Sequence, residues 1–290
     1  MVIQDLWQSV MSRIIFSFYI DIPKDKLVSH HESKDLFNDH YDWLLKKQQD
    51  YATSIGVDYK HFVYDEKYVS FENNFVDNHS EISHYNIVNF YKIHLMYEMA
   101  KEYDEILYLD FDVIPITKKN FFEKFNLSKG AAIMTGTAPS QRPVRERDIL
   151  LDFKHSVRSP MAKYWNTMCM LSEVGYSLKS EVFNTGIVGV TSDYLKQLDY
   201  FGDFEQTIQL MSEMCKDDFY PDNIRYMFGY DNETIWGYKT IVKELAWQEL
   251  GNDWHFFMDK WSYVSRTSEF IHCVSKDFNH VRQWCEKNNL

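Results

Sequence analysis

Tyr103-Asp104-Glu105-Ile106-Leu107-Tyr108-Leu109-Asp110-Phe111-Asp112-Val113-Ile114-Pro115 is the stretch on which the reading of this chain turns. Ile106 to Leu109 form a short, nearly continuous apolar run, as a strand covered on both faces requires. The run ends in Asp110 and Asp112, in the only Asp-x-Asp triplet of the chain. Alternation along an extended backbone is expected to point both carboxylates one way and Phe111 the other, so that the pair can share one hard cation. Residues 85–103 lie just upstream, where Ile87, Val88, Tyr91, Leu95, Met96 and Met99 recur near the helical period. Helix, loop, buried strand and paired Asp make one unit of an α/β fold. Ligands of such folds bind at the carboxyl ends of the strands.

Further elements extend the unit in both directions. Residues 14–20 read as a first buried strand, 39–55 as a helix closed by Gly56, and 59–64 as a second strand, the opening of a Rossmann-like half. Residues 65–83 are polar and read as a loop. Beyond Pro115, residues 120–125 suggest a short helix, 131–134 a strand, 181–190 a strand with a close-approach glycine at Gly186, and 193–211 one helix. No glycine-rich dinucleotide or P-loop pattern follows the first strand, which counts against both of those folds.

The chain has 290 residues, 17% of them aromatic, and a formal net charge of −12. It is long enough for a sizeable core, and its acidity counts against general nucleic-acid binding, which needs clustered Lys and Arg. Cys169, Cys215, Cys273 and Cys285 are scattered and read as reduced thiols rather than as a zinc site. No run of eighteen apolar residues is present, so no transmembrane segment is expected. Asp5 stands early with no basic region before it, so no secretory signal is expected either. Together these point to a soluble cytoplasmic protein. Residues 136–180, with Arg142, Arg145, Arg147 and Arg158, form the most basic part of the chain. They are either a lid that meets phosphate or an anionic acceptor, or a surface insertion.

Phe90-Tyr91-Lys92-Ile93-His94-Leu95 followed by Tyr108-Leu109-Asp110-Phe111-Asp112 resembles the glycosyltransferases of the GT-A fold. The likeness is to the glycogenin-like and lipopolysaccharide galactosyltransferase-like branch, family 8-like. Phe183-Asn184-Thr185-Gly186, Asp231-Asn232-Glu233 and Phe270-Ile271-His272 follow in the order of that family's later motifs. The resemblance implies one domain over residues 1–290, with a nucleotide-sugar half at 12–115 and an acceptor half at 116–290. It implies Mn²⁺, or Mg²⁺, on Asp110, Asp112 and His272. The nucleotide-sugar donor, a UDP-sugar first of all, would meet Tyr19, Lys92, Phe111 and Lys276, and Phe18 and Ile20 are further candidates at the base. Asn184 would contact a sugar, and Asp231 and Glu233 would lie near the reacting carbon, where the family has Asp-Gln. Ser275 replaces the family's glycine after the late His, and Lys276 comes two positions early. Trp247, Trp254, Trp261 and Tyr263 can stack on sugar faces or fill the core.

The function expected is metal-dependent transfer of a sugar from a nucleotide-sugar to a glycan or other hydroxyl acceptor; the resemblance implies retention of configuration, and an inverting route with Asp231 or Glu233 as base stays open. Many eukaryotic enzymes of the fold resembled are anchored in the Golgi, so the resemblance without an anchor implies a bacterial or viral origin, or a truncated chain. The alternatives are nucleotidyl transfer to a sugar phosphate, and a non-catalytic sugar- or nucleotide-binding protein with a degenerate site.

Overall fold

The computed structural model describes residues 11–23, 31–135, 160–176, 181–216, 229–258, 264 and 266–290. Its strands are β1 (Arg13–Tyr19), β2 (Asp58–Val63), β3 (Glu105–Leu109), β4 (Val113–Pro115), β5 (Ala131–Thr135), β6 (Phe183–Thr191), β7 (Trp247–Glu249), β8 (Phe256–Phe257) and β9 (Phe270–His272). The helices are α1 (His31–Ser54), α2 (Glu66–Asn78), α3 (His84–Met99), α4 (Phe121–Lys124), α5 (Pro160–Glu173), α6 (Ser192–Leu198), α7 (Phe204–Lys216), α8 (Asn232–Val242), α9 (Gly251–Trp254) and α10 (Phe278–Lys287). Six strands form a mixed sheet in the order β2-β1-β3-β6-β5-β7, in which β6 runs antiparallel to both neighbours. A smaller sheet has the order β4-β9-β8. The α/β class read from the sequence is the one observed.

Period-two alternation divides the central strands between two cores. Ile14, Phe16, Ile106, Tyr108, Val188 and Val190 face one side, where Ile87, Phe90 and Tyr91 of α3 cover them. Ile15, Leu107, Leu109 and Ile187 face the other, against Phe121, Trp254 and Phe270. Both faces are covered, which is why the strands read as apolar runs rather than as alternating patterns. Helix α3 is buried nearly all round, with Lys92 on its inner face.

Three sequence expectations need correction. Residues 65–83 are not a loop: Asp65 caps α2 by accepting from Tyr68 N at 2.9 Å. Tyr68, Phe71 and Phe75 then make one apolar stripe against Tyr91 and Phe90, while the polar residues that dominate the composition cover the outside. Residues 193–211 are not one helix. Asp199 takes a left-handed conformation (φ 42°) that ends α6, and Tyr200 N donates to Tyr97 Oη, so the break is tied to α3. Helix α1 begins at His31 rather than at residue 39. Trp254 is core, edge-on to Phe121 and Phe270. Trp261 and Tyr263, and the arginines at 142, 145, 147 and 158, lie outside the described residues. Among the described residues no helix is long and apolar enough to cross a membrane.

The Asp pair also differs from its expected geometry. Strand β3 ends at Leu109, and Asp110 to Val113 form a turn closed by Val113 N on the Asp110 carbonyl at 2.9 Å. Gln48 of α1, fully buried, donates from Nε2 to the carbonyls of both Asp110 and Val113 at 2.9 Å. Its Oε1 accepts from Tyr59 Oη, which meets Ser17 Oγ at 2.7 Å, and that hydroxyl meets His61 Nδ1 at 2.8 Å. A chain of four polar side chains thus clamps the turn from beneath the sheet.

Burial lowers the His61 imidazole from 6.5 to about 4. The unfolded chain therefore binds more protons between those values, and stability is lost as pH falls from about 6.5 to 4. The His61 contribution is up to about 3 kcal/mol. Urea denaturation across this range is expected to show a shallower loss in His61→Gln than in the parent; equal slopes would contradict it.

Candidate functional site

Sheet register assembles the site. Leu109 of β3 pairs with Ile187 of β6, so Asp110 N donates to Gly186 O at 2.7 Å and residues 184–186 lie beside the turn. On the other side Val113 of β4 pairs with His272 of β9, and Cys273 N donates to Asp112 O at 3.0 Å. His272 is 159 residues beyond Val113 in sequence yet adjacent to Asp112 in space. Its Nε2 is 3.4 Å from Asp112 Oδ2 and 3.8 Å from Asp110 Oδ2. Asp110, Asp112 and His272 can each offer one ligand atom, all within 4.8 Å of one another, and no other such group occurs among the described residues. Two carboxylate oxygens and an imidazole nitrogen suit a divalent cation such as Mn²⁺.

Lysines balance the acids. Asp112 is 4% exposed. Burial alone would raise its carboxyl, but the Lys276 ammonium and the His272 ring beside it hold it well below the usual range. Lys276 pairs with Asp112 and lies over the Phe37 ring. Lys92, 2% exposed, points its ammonium at Asp110 Oδ1 (3.4 Å) and the Thr185 carbonyl (3.2 Å). Tyr108 Oη donates to the same Asp110 oxygen.

A second acidic group faces the first across the cavity. Asp231 caps α8: its Oδ1 accepts from the backbone N–H of Glu233 and of Thr234, each at 3.0 Å, and its Oδ2 from Thr234 Oγ1. Burial raises its carboxyl. Glu233 Oε1 accepts from Thr185 N at 2.7 Å and from Thr185 Oγ1 at 3.2 Å, and Oε2 pairs with Lys163 of α5. Against the effect of burial, Lys163, Lys92 and the Thr185 N–H hold Glu233 below its ordinary value, so it is ionised. Asn184 Oδ1 accepts from Gly186 N at 2.9 Å, and Asn232 Nδ2 donates to Thr185 Oγ1 at 2.8 Å.

The acids, His272, the three lysines, Tyr108, Asn184 and Asn232 open on one cavity of about 500 Å³, which Phe18, Tyr19, Ile20, Phe37 and Phe111 also line. Tyr19 stacks on Phe111 with centroids 5.3 Å apart, and Phe111 in turn covers His61. Every site residue expected from the sequence, namely Tyr19, Lys92, Asp110, Phe111, Asp112, Asn184, Asp231, Glu233, His272 and Lys276, borders this cavity. Sequence reading missed Lys163, which shares a basic stretch with the more conspicuous arginines. It also missed Gln48, whose signal was a polar residue at a core position of the α1 pattern, between Leu44 and Tyr51.

No protein-family model matches this chain, and no curated protein matches it. Among solved structures it is similar to mouse xyloside xylosyltransferase 1 in its apo form (12% identity, TM-score 0.47, covering 93% of this chain and 99% of that one). It is also similar to a glycosyltransferase involved in the glycosylation of the major capsid of PBCV-1 (12% identity, TM-score 0.44, 94% and 99% covered). A third is the galactosyltransferase LgtC in complex with donor and acceptor sugar analogues (10% identity, TM-score 0.43, 90% and 87% covered).

Gly186 shows how tight the assembly is. A Cβ there would sit 2.5 Å from His272 Cε1 and 2.8 Å from Nδ1. Gly186→Ala is therefore expected to push the imidazole off its position and to weaken Mn²⁺ binding about tenfold or more. Titration followed by the electron paramagnetic resonance of free Mn²⁺ checks this; unchanged affinity would mean that the ring is not a ligand.

Proposed function

We propose that this protein is a metal-dependent glycosyltransferase, moving a sugar from a nucleotide-sugar, a UDP-sugar first of all, to a glycan or other hydroxyl acceptor. The observation that carries the reading is the convergence of Asp110, Asp112 and His272 with Lys92, Lys163 and Lys276 on one cavity that aromatic rings also line. Such a cavity accommodates a base on Tyr19, a diphosphate by the lysines, and a sugar before Asn184 and Glu233. In this reading residues 12–115 form the nucleotide half and 116–290 the acceptor half of a single domain.

Asp110, Asp112 and His272 would hold Mn²⁺ or Mg²⁺, which when bound supplies Lewis-acid stabilisation of the charge on the departing diphosphate. The chain's own residues do the rest. Lys276, resting on Asp112, is within reach of a phosphate in the same cavity and adds positive charge where negative charge develops. Lys92, with its ammonium 3.4 Å from Asp110 Oδ1, orients that carboxylate. Asn184 spends its Oδ1 on Gly186 and has its amide N–H groups to offer a sugar hydroxyl. Glu233, ionised and fixed by Thr185 and Lys163, presents negative charge to the reacting carbon, and Asp231 positions it by capping α8.

Retention is the outcome this arrangement favours. An inverting route needs a carboxylate with a free lone pair as base. Asp231 and Glu233 each already spend three of about four lone-pair sites on backbone N–H groups, a threonine hydroxyl or a lysine, which disfavours either as base. The acceptor would then attack from the leaving-group face.

Thermal melting with UDP-, GDP- and dTDP-sugars, with and without Mn²⁺, tests the donor site, because a ligand specific to the folded state raises the midpoint. The shift is expected to need both the metal and one nucleotide class. Asp112→Ala is expected to abolish that shift and the metal-dependent turnover while remaining folded. Full activity in the variant would sink the proposal, and tight metal-dependent binding by the parent without transfer or hydrolysis would make this a binding protein. Lys276→Met should act in two directions. It is expected to tighten Mn²⁺ in the absence of nucleotide, by removing the ammonium that competes for Asp112, and to weaken nucleoside diphosphate in its presence. Losses in both would place Lys276 in a purely structural role.

A further inference from the structure

His255 lies outside the cavity lining, on the far side of His272. It follows α9 and precedes β8, whose Phe257 pairs with His272 of β9, so the register of the small sheet brings the two imidazoles together. His255 Nε2 lies 2.9 Å from His272 Nδ1, with the rings inclined at only 23°. His255 is fully buried and its ring stacks on Phe257 at 4.5 Å. Burial holds its imidazole well below the ordinary value. Its Nδ1 has no hydrogen-bond partner among the described residues.

Two imidazoles with one ring proton each, joined through one hydrogen bond, have two arrangements. In the first, His255 Nε2–H donates to His272 Nδ1, and His272 carries its proton on Nε2, facing Asp112 and Asp110. In the second, His272 Nδ1–H donates to His255 Nε2, and His272 Nε2 presents a lone pair to the carboxylates. Only the second lets His272 ligate a cation. The 3.4 and 3.8 Å separations of Nε2 from the carboxylates are long for a hydrogen bond, whereas the 2.9 Å contact at Nδ1 is a good one. The orientation of His272 is thus set from behind rather than from the cavity.

We propose that His255 is a positioning residue for the metal site, its Nε2 accepting the Nδ1–H of His272 and so holding the tautomer and ring plane in which His272 Nε2 faces Asp110 and Asp112. This rests on the reading of these three residues as metal ligands. Passing from the first arrangement to the second changes no net charge. His272 Nε2 gives a proton to water, His255 passes its Nε2 proton to His272 Nδ1, and His255 Nδ1 takes a proton from water.

The test is equilibrium Mn²⁺ affinity without donor or acceptor, in the parent, His255→Gln, His255→Phe and His255→Leu. Loss of the acceptor behind a ligating histidine is expected to cost about 10–100-fold in Phe and Leu. Gln, whose Oε1 can accept the same proton, should recover most of that loss. A readout on the parent itself accompanies it. In long-range ¹H–¹⁵N spectra of the Mg²⁺-saturated protein, His255 is expected to carry its proton on Nδ1 and His272 on Nδ1. A His255 protonated on Nε2 in the saturated protein would overturn the proposal, as would parent-like affinity in folded Phe and Leu variants. No Mn²⁺ binding by the parent would instead overturn the metal reading itself, and this proposal with it.

Discussion

A carboxylate as buried as Asp112 is tolerated only if cations stand beside it, because desolvating one ion costs several kcal/mol even after relaxation. The chain supplies those cations from far apart in sequence. Lys92 comes from the inner face of α3 and Lys276 from the segment after β9, and each meets one member of the Asp pair. Lys276 accepts a left-handed backbone (φ 58°) at that position, an uncommon conformation for a residue with a side chain. The meeting of α3, the 110–113 turn and the C-terminal segment is therefore an electrostatic requirement as much as a packing one.

The same turn determines why there are two sheets. If the backbone ran on straight through Asp110, Val113 and Ile114 would extend β3 alongside β6. Instead the turn, pinned by Gln48 at two carbonyls, redirects them into β4 and a new partner, β9. That partner delivers His272, and His255 immediately precedes β8 beside it. One polar side chain beneath the sheet thus connects the first helix to the composition of the site above it.

Much of this was legible in the sequence. Ile14–Phe18, interrupted only by Ser17, and Ile106–Leu109 identify themselves as doubly buried strands by their apolar runs, and Asp110, Asp112 and Asn184 stand out as candidates by their position at the ends of such runs. What was not legible depended on contacts between distant segments. The Asp pair was expected to converge by strand alternation, and it converges through a turn whose clamp, Gln48, lies 62 residues away from Asp110. Residues 65–83 hid a helix because its outward face carries most of its residues, and the three aromatic rings that define it only acquire meaning against α3. Lys163 and His255 are ordinary residues locally; their roles arise from Glu233 and His272, which come near only in the folded chain.

Charge accounting around the cavity links the fold to the chemistry. Asp110, Asp112, Asp231 and Glu233 are set against Lys92, Lys163 and Lys276, while Lys34, which also lines the cavity, is matched by its own partner Asp21. Such a cavity is close to neutral when empty, inside a protein of net charge −12. A nucleoside diphosphate entering it would leave an excess of negative charge that the three lysines, already engaged, do not cover. Under the proposed function, a divalent cation on the Asp pair would cover that excess and would free Lys276 to turn from Asp112 toward the phosphates. Metal and nucleotide would then be coupled through one ammonium group, each improving the site for the other.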